Sequence, residues 1–579
     1  MIDAALACFS FRKQRWAAAL GGLLVAATGS CAPAAPALAH PGPAPSAASD
    51  AAFETASTAI SAGFLREQVS QISSDHFEGR GPGTRGDLAA RAYLEAQLAS
   101  LGVAPGLGAD GWEQPVELVG LKAHLPSSWR FDRGTGSVSL AFFDQYIAGS
   151  GVQSSSGAID NAEVVFVGYG IEAPEYGWDD FKGQSVKGKV VLVLNNDPDW
   201  DPKLFAGKTR LYYGRWTYKY ENAARHGAVG AIIVHTQASA GYPYQVVQTS
   251  WGGEQFALPS NGPTSLQVKA WVTEGAARSL VALSGQSMEQ LQELARSRAF
   301  APVPLGITTS LHFDNDVERL HTANIIGKIT GSDPRLRDEY LVLSAHHDHL
   351  GIGKADATGD PIYNGALDNG AGLAQVLAIV KALKALPTAT RRSVLVLFPA
   401  AEEAGLLGSQ YFTEHLPVPA GKIASNLNYD GGNIWGRSRD ITQIGQGKSS
   451  LDAVVAQLAA RVGRTVKRDQ FPDRGSFYRS DQFNFAKLGV PALYLKTGTD
   501  FIGRPADWGT EQILSFEAHR YHQPSDQLGA DWNFDGMVED ARFGFLAAVQ
   551  IANADQAPTL TPGDEFETAR RAALSAVVH

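Results

Sequence analysis

Four short sequence stretches place imidazoles and carboxylates just after apolar runs, or at the opening of a helix, where a metal ion could collect them. They are SAHHDHLG from Ser344, FPAAEEAG from Phe398, LNYDGG from Leu427 and GALDNGAG from Gly365. A fifth stretch, YHQPSD from Tyr521, adds a late histidine. Zinc takes His nitrogen and Asp or Glu oxygen, and two zinc ions sharing one carboxylate need about five protein ligands with room for a water. His346, Asp368, Glu403, Asp430 and His522 supply that set. Glu402 is then spare beside a ligand, which suits a general base, and Asp348 lies two residues past His346, where it can orient the imidazole. No G-x-S-x-G elbow and no H-E-x-x-H helix is present, so serine-hydrolase and zincin chemistry lose their support.

The elements that must position these residues read as an α/β pattern. Apolar runs at 340–344, 393–398, 423–428 and 492–496 alternate with helical spacing near 370–386, 405–416 and 451–462. This predicts an α/β fold with a doubly wound mixed sheet and helices on both faces, whose ligands sit beyond the carboxyl ends of the strands. Upstream, helices are expected over 64–72 and 87–101, separated by the glycine-rich EGRGPGTRG, which reads as a turn because it lacks the G-K-[ST] ending of a phosphate cradle. From about 122 to 310 the texture changes to short β-like runs such as AEVVFVGYGI and GAIIVH, predicting an inserted, mainly β domain. The expected divisions are a leader over 1–39, an Ala/Pro/Ser-rich linker over 40–59, the first part of the catalytic domain over 60–121, the insert, the rest of the catalytic domain over 311–555, and a loose tail over 556–579.

Arg12, Lys13 and Arg15 precede an apolar run that ends in small residues at Ala37-Leu38-Ala39, the pattern of an export signal cleaved near Ala39. The expectation is a periplasmic or extracellular protein with no stable membrane span after cleavage, lipid attachment at Cys31 being the minor alternative. Both cysteines, Cys8 and Cys31, fall in the leader, so the mature chain would have neither disulfides nor thiolate ligands. A formal net charge of -10 over 579 residues argues against a nucleic-acid partner.

Taken in order, these motifs resemble metallopeptidase family twenty-eight, the di-zinc aminopeptidases related to glutamate carboxypeptidase II, glutaminyl cyclases and the transferrin receptor. The resemblance implies a zinc-exopeptidase fold in which one ion is held by His346, Asp368 and Asp430 and the other by Asp368, Glu403 and His522, with cobalt or manganese as possible substitutes. It also implies a cis peptide between Asp368 and Asn369, and identifies the insert as similar to a protease-associated (PA) domain. The segment from Tyr478 looks like the family's substrate loop, so Tyr478, Arg479 and Asp481 are candidate substrate contacts. A carboxylate-rich site favours a peptide substrate with a free amine, hence an aminopeptidase. The alternatives are a carboxypeptidase of the glutamate type, for which Arg479 is the candidate clamp, and a non-catalytic or cyclase relative.

Overall fold

The computed structural model describes residues 47–108, 111–260, 262 and 266–578. The expected leader and both cysteines lie outside them. Helix α1 (Ala47–Ser57) occupies much of the stretch expected to be a loose linker, and Ala56 is buried in the core. Its alanines are the reason: they favour helix strongly yet carry no obvious amphipathic pattern. Helix α2 (Ala62–Ile72) begins at Ser61, whose hydroxyl accepts from the Phe64 N–H, and buries Leu65, Val69 and Ile72 along one stripe. Helix α3 (Arg85–Ser100) is capped in the same way by Thr84.

Strand β1 (Glu113–His124) leads into the insert, which contains β2 (Tyr146–Ser150), β3 (Ser156–Phe166), β4 (Val190–Leu194), β5 (Gly230–His235) and β6 (Val268–Thr273). Strands β3 to β6 are successive parallel neighbours, with helix α4 (Trp216–Arg225) crossing between β4 and β5. Alternate residues of β4 enter two different cores: Val190, Leu192 and Leu194 face one, Val191 and Val193 the other. That is why its five residues read as an unbroken apolar run.

Strand β7 (Val303–Ile329) joins the two regions without a break. Its first half pairs with β3 of the insert, and its second half pairs with β1 and with β9 (Ser393–Phe398). The remaining strands are β8 (Tyr340–Ser344), β10 (Ile423–Asn428), β11 (Asp440–Ile444), β12 (Thr465–Arg468) and β13 (Ala492–Thr497). Pairing gives the order β1, β7, β9, β8, β10, β13, β11, β12, in which β9, β8, β10 and β13 run parallel. The segments that follow β8, β9, β10 and β13 therefore leave the same edge.

Both faces of this sheet are covered, Leu341 and Leu343 packing to one side and Tyr340 and Val342 to the other. Helix α5 (Gly372–Lys384) is buried on nearly all sides, so the apolar segment 366–384, long enough to cross a membrane, is a core helix. After β13 comes helix α6 (Trp508–His519), whose one buried residue is Gly509 and which leads to His522. Helix α7 (Asp535–Asn553) packs on α5. The expected loose tail is ordered: Lys448 pairs with Asp564 and Glu565, and helix α8 (Glu567–Val578) docks Arg570 Nη1 on the Ile423 carbonyl at 3.0 Å. These contacts join positions more than a hundred residues apart, out of reach of a local pattern.

Candidate metal centre

The loop after β8 carries His346, that after β9 carries Glu402 and Glu403, and that after β10 carries Asp430. Asp368 enters from the segment before α5 through a cis peptide to Asn369, as the resemblance implies. His346 Nε2 lies 3.2 Å from Asp368 Oδ1 and 4.0 Å from Glu402 Oε2. His522 Nε2 lies 3.4 Å from Asp368 Oδ2 and 2.9 Å from Glu403 Oε2. Two donor groups, each able to hold an ion, share Asp368: His346 with Asp430, and His349 with Glu403. His522 reaches the second of these, and His349 there is a residue that sequence reasoning passed over.

The positioning devices explain the precision. Asp348 accepts from the Glu402 N–H at 2.9 Å and the Glu403 N–H at 3.2 Å, so one carboxylate fixes the turn that presents both glutamates. Its Oδ1 lies 3.7 Å from His346 Nδ1, beyond hydrogen-bond reach, and that nitrogen instead meets the Asp348 carbonyl oxygen at 3.3 Å. Ala401, just before the glutamates, and His522 both adopt left-handed φ values, 52° and 57°, which non-glycine residues rarely hold without surrounding support. Asp526 accepts from the Leu367 and Asp368 N–H groups, and Asn369 from those of Gly372 and Gly431, locking the Asp368 segment. Arg80, in the loop read only as a turn, donates to the carbonyls of Ile72, His347, Asn364 and Gly365. Asp526 stood in plain view in YHQPSD, whereas Arg80 gave no local signal.

The charges fit a cation. Among the described residues, the Nε2 atoms of His346, His349 and His522 and Oδ1 of Asp368 are buried and complete no hydrogen bond. Unpaired donors and acceptors of this kind are costly unless something binds them. Burial alone would discharge His346, yet Glu402, Asp348 and Asp368 hold its pKa well above the ordinary value. His522 is likewise raised to about 10, by Glu403 and Asp368 against burial, although a third of its side chain stays exposed to screening solvent. Burial resists ionisation of Glu403, but His522 and His349 bring it down to about 2. Glu402 goes the other way: burial first, then Glu403, Asp430 and Asp481, push it well up against the pull of His346. Without metal, then, protonated imidazoles supply the positive charge the carboxylates need.

The three candidate substrate residues are placed differently. The Tyr478 hydroxyl donates to Glu565 Oε1 at 2.6 Å, so it is engaged with the C-terminal segment and is not left free for substrate. Asp481 is fully buried, its pKa pushed up to about 7 by desolvation, within electrostatic reach of His346, Asp348 and Asp430. Arg479 is exposed and acts electrostatically on Glu402 and Tyr521.

Residues 324–544 match the model of peptidase family M28, and residues 159–267 that of the PA domain. The region from 324 to 544 thus resembles peptidase family M28. The chain is 26% identical over 337 residues to a protein described as probable leucine aminopeptidase 2 of Aspergillus oryzae, an alignment covering 56% of this chain and 60% of that one. It is 28% identical over 183 residues to the probable lipoprotein aminopeptidase LpqL of Mycobacterium tuberculosis, covering 28% and 35%. The chain thus spans less than two thirds of these relatives' lengths. Among solved structures, an aminopeptidase from Aneurinibacillus sp. strain AM-1 aligns at 18% identity and a TM-score of 0.49, covering 88% of this chain and 97% of that one.

Proposed function

We propose that this chain is an exported, zinc-dependent aminopeptidase that removes residues from the amino end of peptides. The observation that carries the reading is the pair of donor groups sharing Asp368 with the uncommitted Glu402 carboxylate at their side. A nitrogen and oxygen donor set without sulfur suits zinc, with cobalt or manganese as substitutes. His346, Asp368 and Asp430 would hold one ion, and Asp368, Glu403 and His522 the other. When bound, the ions supply Lewis acidity to a water and to the scissile carbonyl. Glu402 takes the proton of that water onto its carboxylate as the oxygen attacks the carbonyl carbon, and returns it to the amine nitrogen as the C–N bond breaks. Asp348 keeps Glu402 and Glu403 at the angle this requires. The names of the relatives and the expected leader support both aminopeptidase action and export.

A free α-amine is drawn to this carboxylate-rich pocket. A leucyl or alanyl peptide should therefore be cleaved on the order of 10- to 100-fold faster than its acetylated twin, the worth of one charged contact. Preference for the acetylated peptide, or for an N-acyl dipeptide ending in glutamate, would refute the polarity, and activity that survives exhaustive chelation would refute the metal. The runner-up, a carboxypeptidase, draws on Arg479, whose charge is felt at Glu402.

Metal uptake should also release protons. At pH 7 the metal-free chain carries protons on His346, held well above the ordinary range, and on His522, at about 10. Both must leave before the nitrogens can ligate. Zinc binding should therefore liberate these two protons, together with any that Glu402 gives up as the cations draw its pKa down, and tighten as pH rises towards 10. Calorimetry in buffers of different ionisation enthalpy counts these protons, and affinity that weakens from pH 6 to 8 would contradict the charge balance drawn here.

A further inference from the structure

We infer that His349 is the positioning residue of the second metal group, holding one oxygen of Glu403 so that the other is turned to the ion. The inference rests on the metal-centre reading above, which takes His522 as the imidazole ligand of the second ion although His349 also stands close enough to Asp368 and Glu403 to serve there. His349 Nδ1 lies 2.7 Å from Glu403 Oε1, while Glu403 Oε2 is the atom 2.9 Å from His522 Nε2. The two oxygens are thus divided between two partners. A carboxylate with both oxygens free can swing between one-oxygen and two-oxygen binding, whereas one that accepts a fixed N–H offers a single oxygen in a defined direction.

The tautomer follows from the surroundings. His349 is fully buried, and its Nε2 has no hydrogen-bond partner among the described residues. With the proton on Nδ1, the ring donates to Glu403 and leaves only a bare lone pair at Nε2. With the proton on Nε2, a buried N–H would be orphaned and a lone pair would face the carboxylate. The first arrangement is the one without an unmet donor.

The ring cannot easily turn away. The His349 N–H donates to the Arg80 carbonyl at 3.3 Å, and the Arg80 guanidinium grips His347, Asn364 and Gly365. Gly365 sits against the ring: a Cβ there would fall 2.6 Å from His349 Cγ and 2.2 Å from the Asp368 carbonyl oxygen, and its φ of 57° is one that glycine adopts without strain. Space for the imidazole is therefore made by the same backbone that presents Asp368.

The test is zinc titration of the metal-stripped full chain against a chromophoric chelator, for wild type, His349→Leu and His349→Asn. Asparagine places an amide N–H near the position of Nδ1, and leucine places none. The wild type should take up two ions. His349→Leu should lose roughly 10- to 100-fold in the affinity of one step and leave the other unchanged, and His349→Asn should recover most of the loss. If the leucine variant does not fold, His349→Ala replaces it in the same comparison. Two wild-type binding steps in the leucine or alanine variant would overturn the role of His349, as would an asparagine variant no better than leucine. A wild-type chain that binds no zinc would instead overturn the metal centre itself.

Discussion

Replacing Glu402 by glutamine should lower kcat by about a hundred- to ten-thousand-fold while both ions stay bound. The substitution keeps the shape of the side chain and removes only its capacity to carry a proton. Nothing in the ligand geometry depends on that capacity: Glu402 Oε2 stands 4.0 Å from His346 Nε2, whereas Glu403 is the carboxylate in contact with His522. The backbone N–H of Glu402, bonded to Asp348 at 2.9 Å, is unaffected, so Glu403 remains in place. Burial and three neighbouring carboxylates raise Glu402 in the metal-free chain, and cations beside it would draw it down again, towards the range in which a base both accepts and returns a proton. Single-turnover kinetics with metal analysis separate the outcomes. A variant with near-normal kcat would show that the proton passes elsewhere, and one that loses metal would show that the two glutamates exchange roles.

How much of this could be read from the sequence follows from where the determining contacts lie. Strands β8, β9 and β10 are buried on both faces, so each appears as an unbroken apolar run, and their residues matched the expected bounds. Ligand types immediately after those runs were legible for the same reason: parallel strands deliver their carboxyl ends to one edge. Helix α1 escaped notice because its alanine-rich composition resembles a linker, and α8 because Phe566 and Arg570 meet partners distant in sequence. The boundary expected near 310 falls inside β7, a continuous strand that changes partners without changing its own conformation. His349 was visible among three histidines in four residues, but nothing local distinguishes a ligand, an orienting residue and His347, which is turned to Asp87 at 3.0 Å. Arg80 shows the limit most clearly, since its value depends wholly on what the fold brings around it.

Arg80→Met should therefore be the most destabilising single change near the centre, on the order of 4 kcal/mol, with metal uptake impaired as a consequence. The side chain is fully buried and, among the described residues, makes no ion pair within contact distance. Its hydrogen bonds run instead to Ile72 O at 2.8 Å, His347 O at 2.8 Å, Asn364 O at 2.6 Å and Gly365 O at 3.0 Å. Those carbonyls belong to the end of α2, the His346 loop and the approach to Asp368, three segments that also share an apolar core and the Asn364 bond to the Ser73 carbonyl but that Arg80 alone ties together through one side chain. Desolvation brings the guanidinium down to about 10, opposed by Asp348, Asp526, Asp368 and Glu403, so it remains charged at neutral pH and also offsets the acidity of the site. Methionine fills much of the volume and satisfies none of the four acceptors. Lysine separates the two contributions: it restores the charge, but one ammonium cannot reproduce the planar fork that reaches all four carbonyls, so Arg80→Lys should recover less than half of the loss. Denaturant midpoints of the metal-free chains provide the comparison. A methionine variant within about 1 kcal/mol of wild type would mean that the three segments hold together without the arginine, and a lysine variant equal to wild type would mean that charge, and not the fork, is what the fold requires.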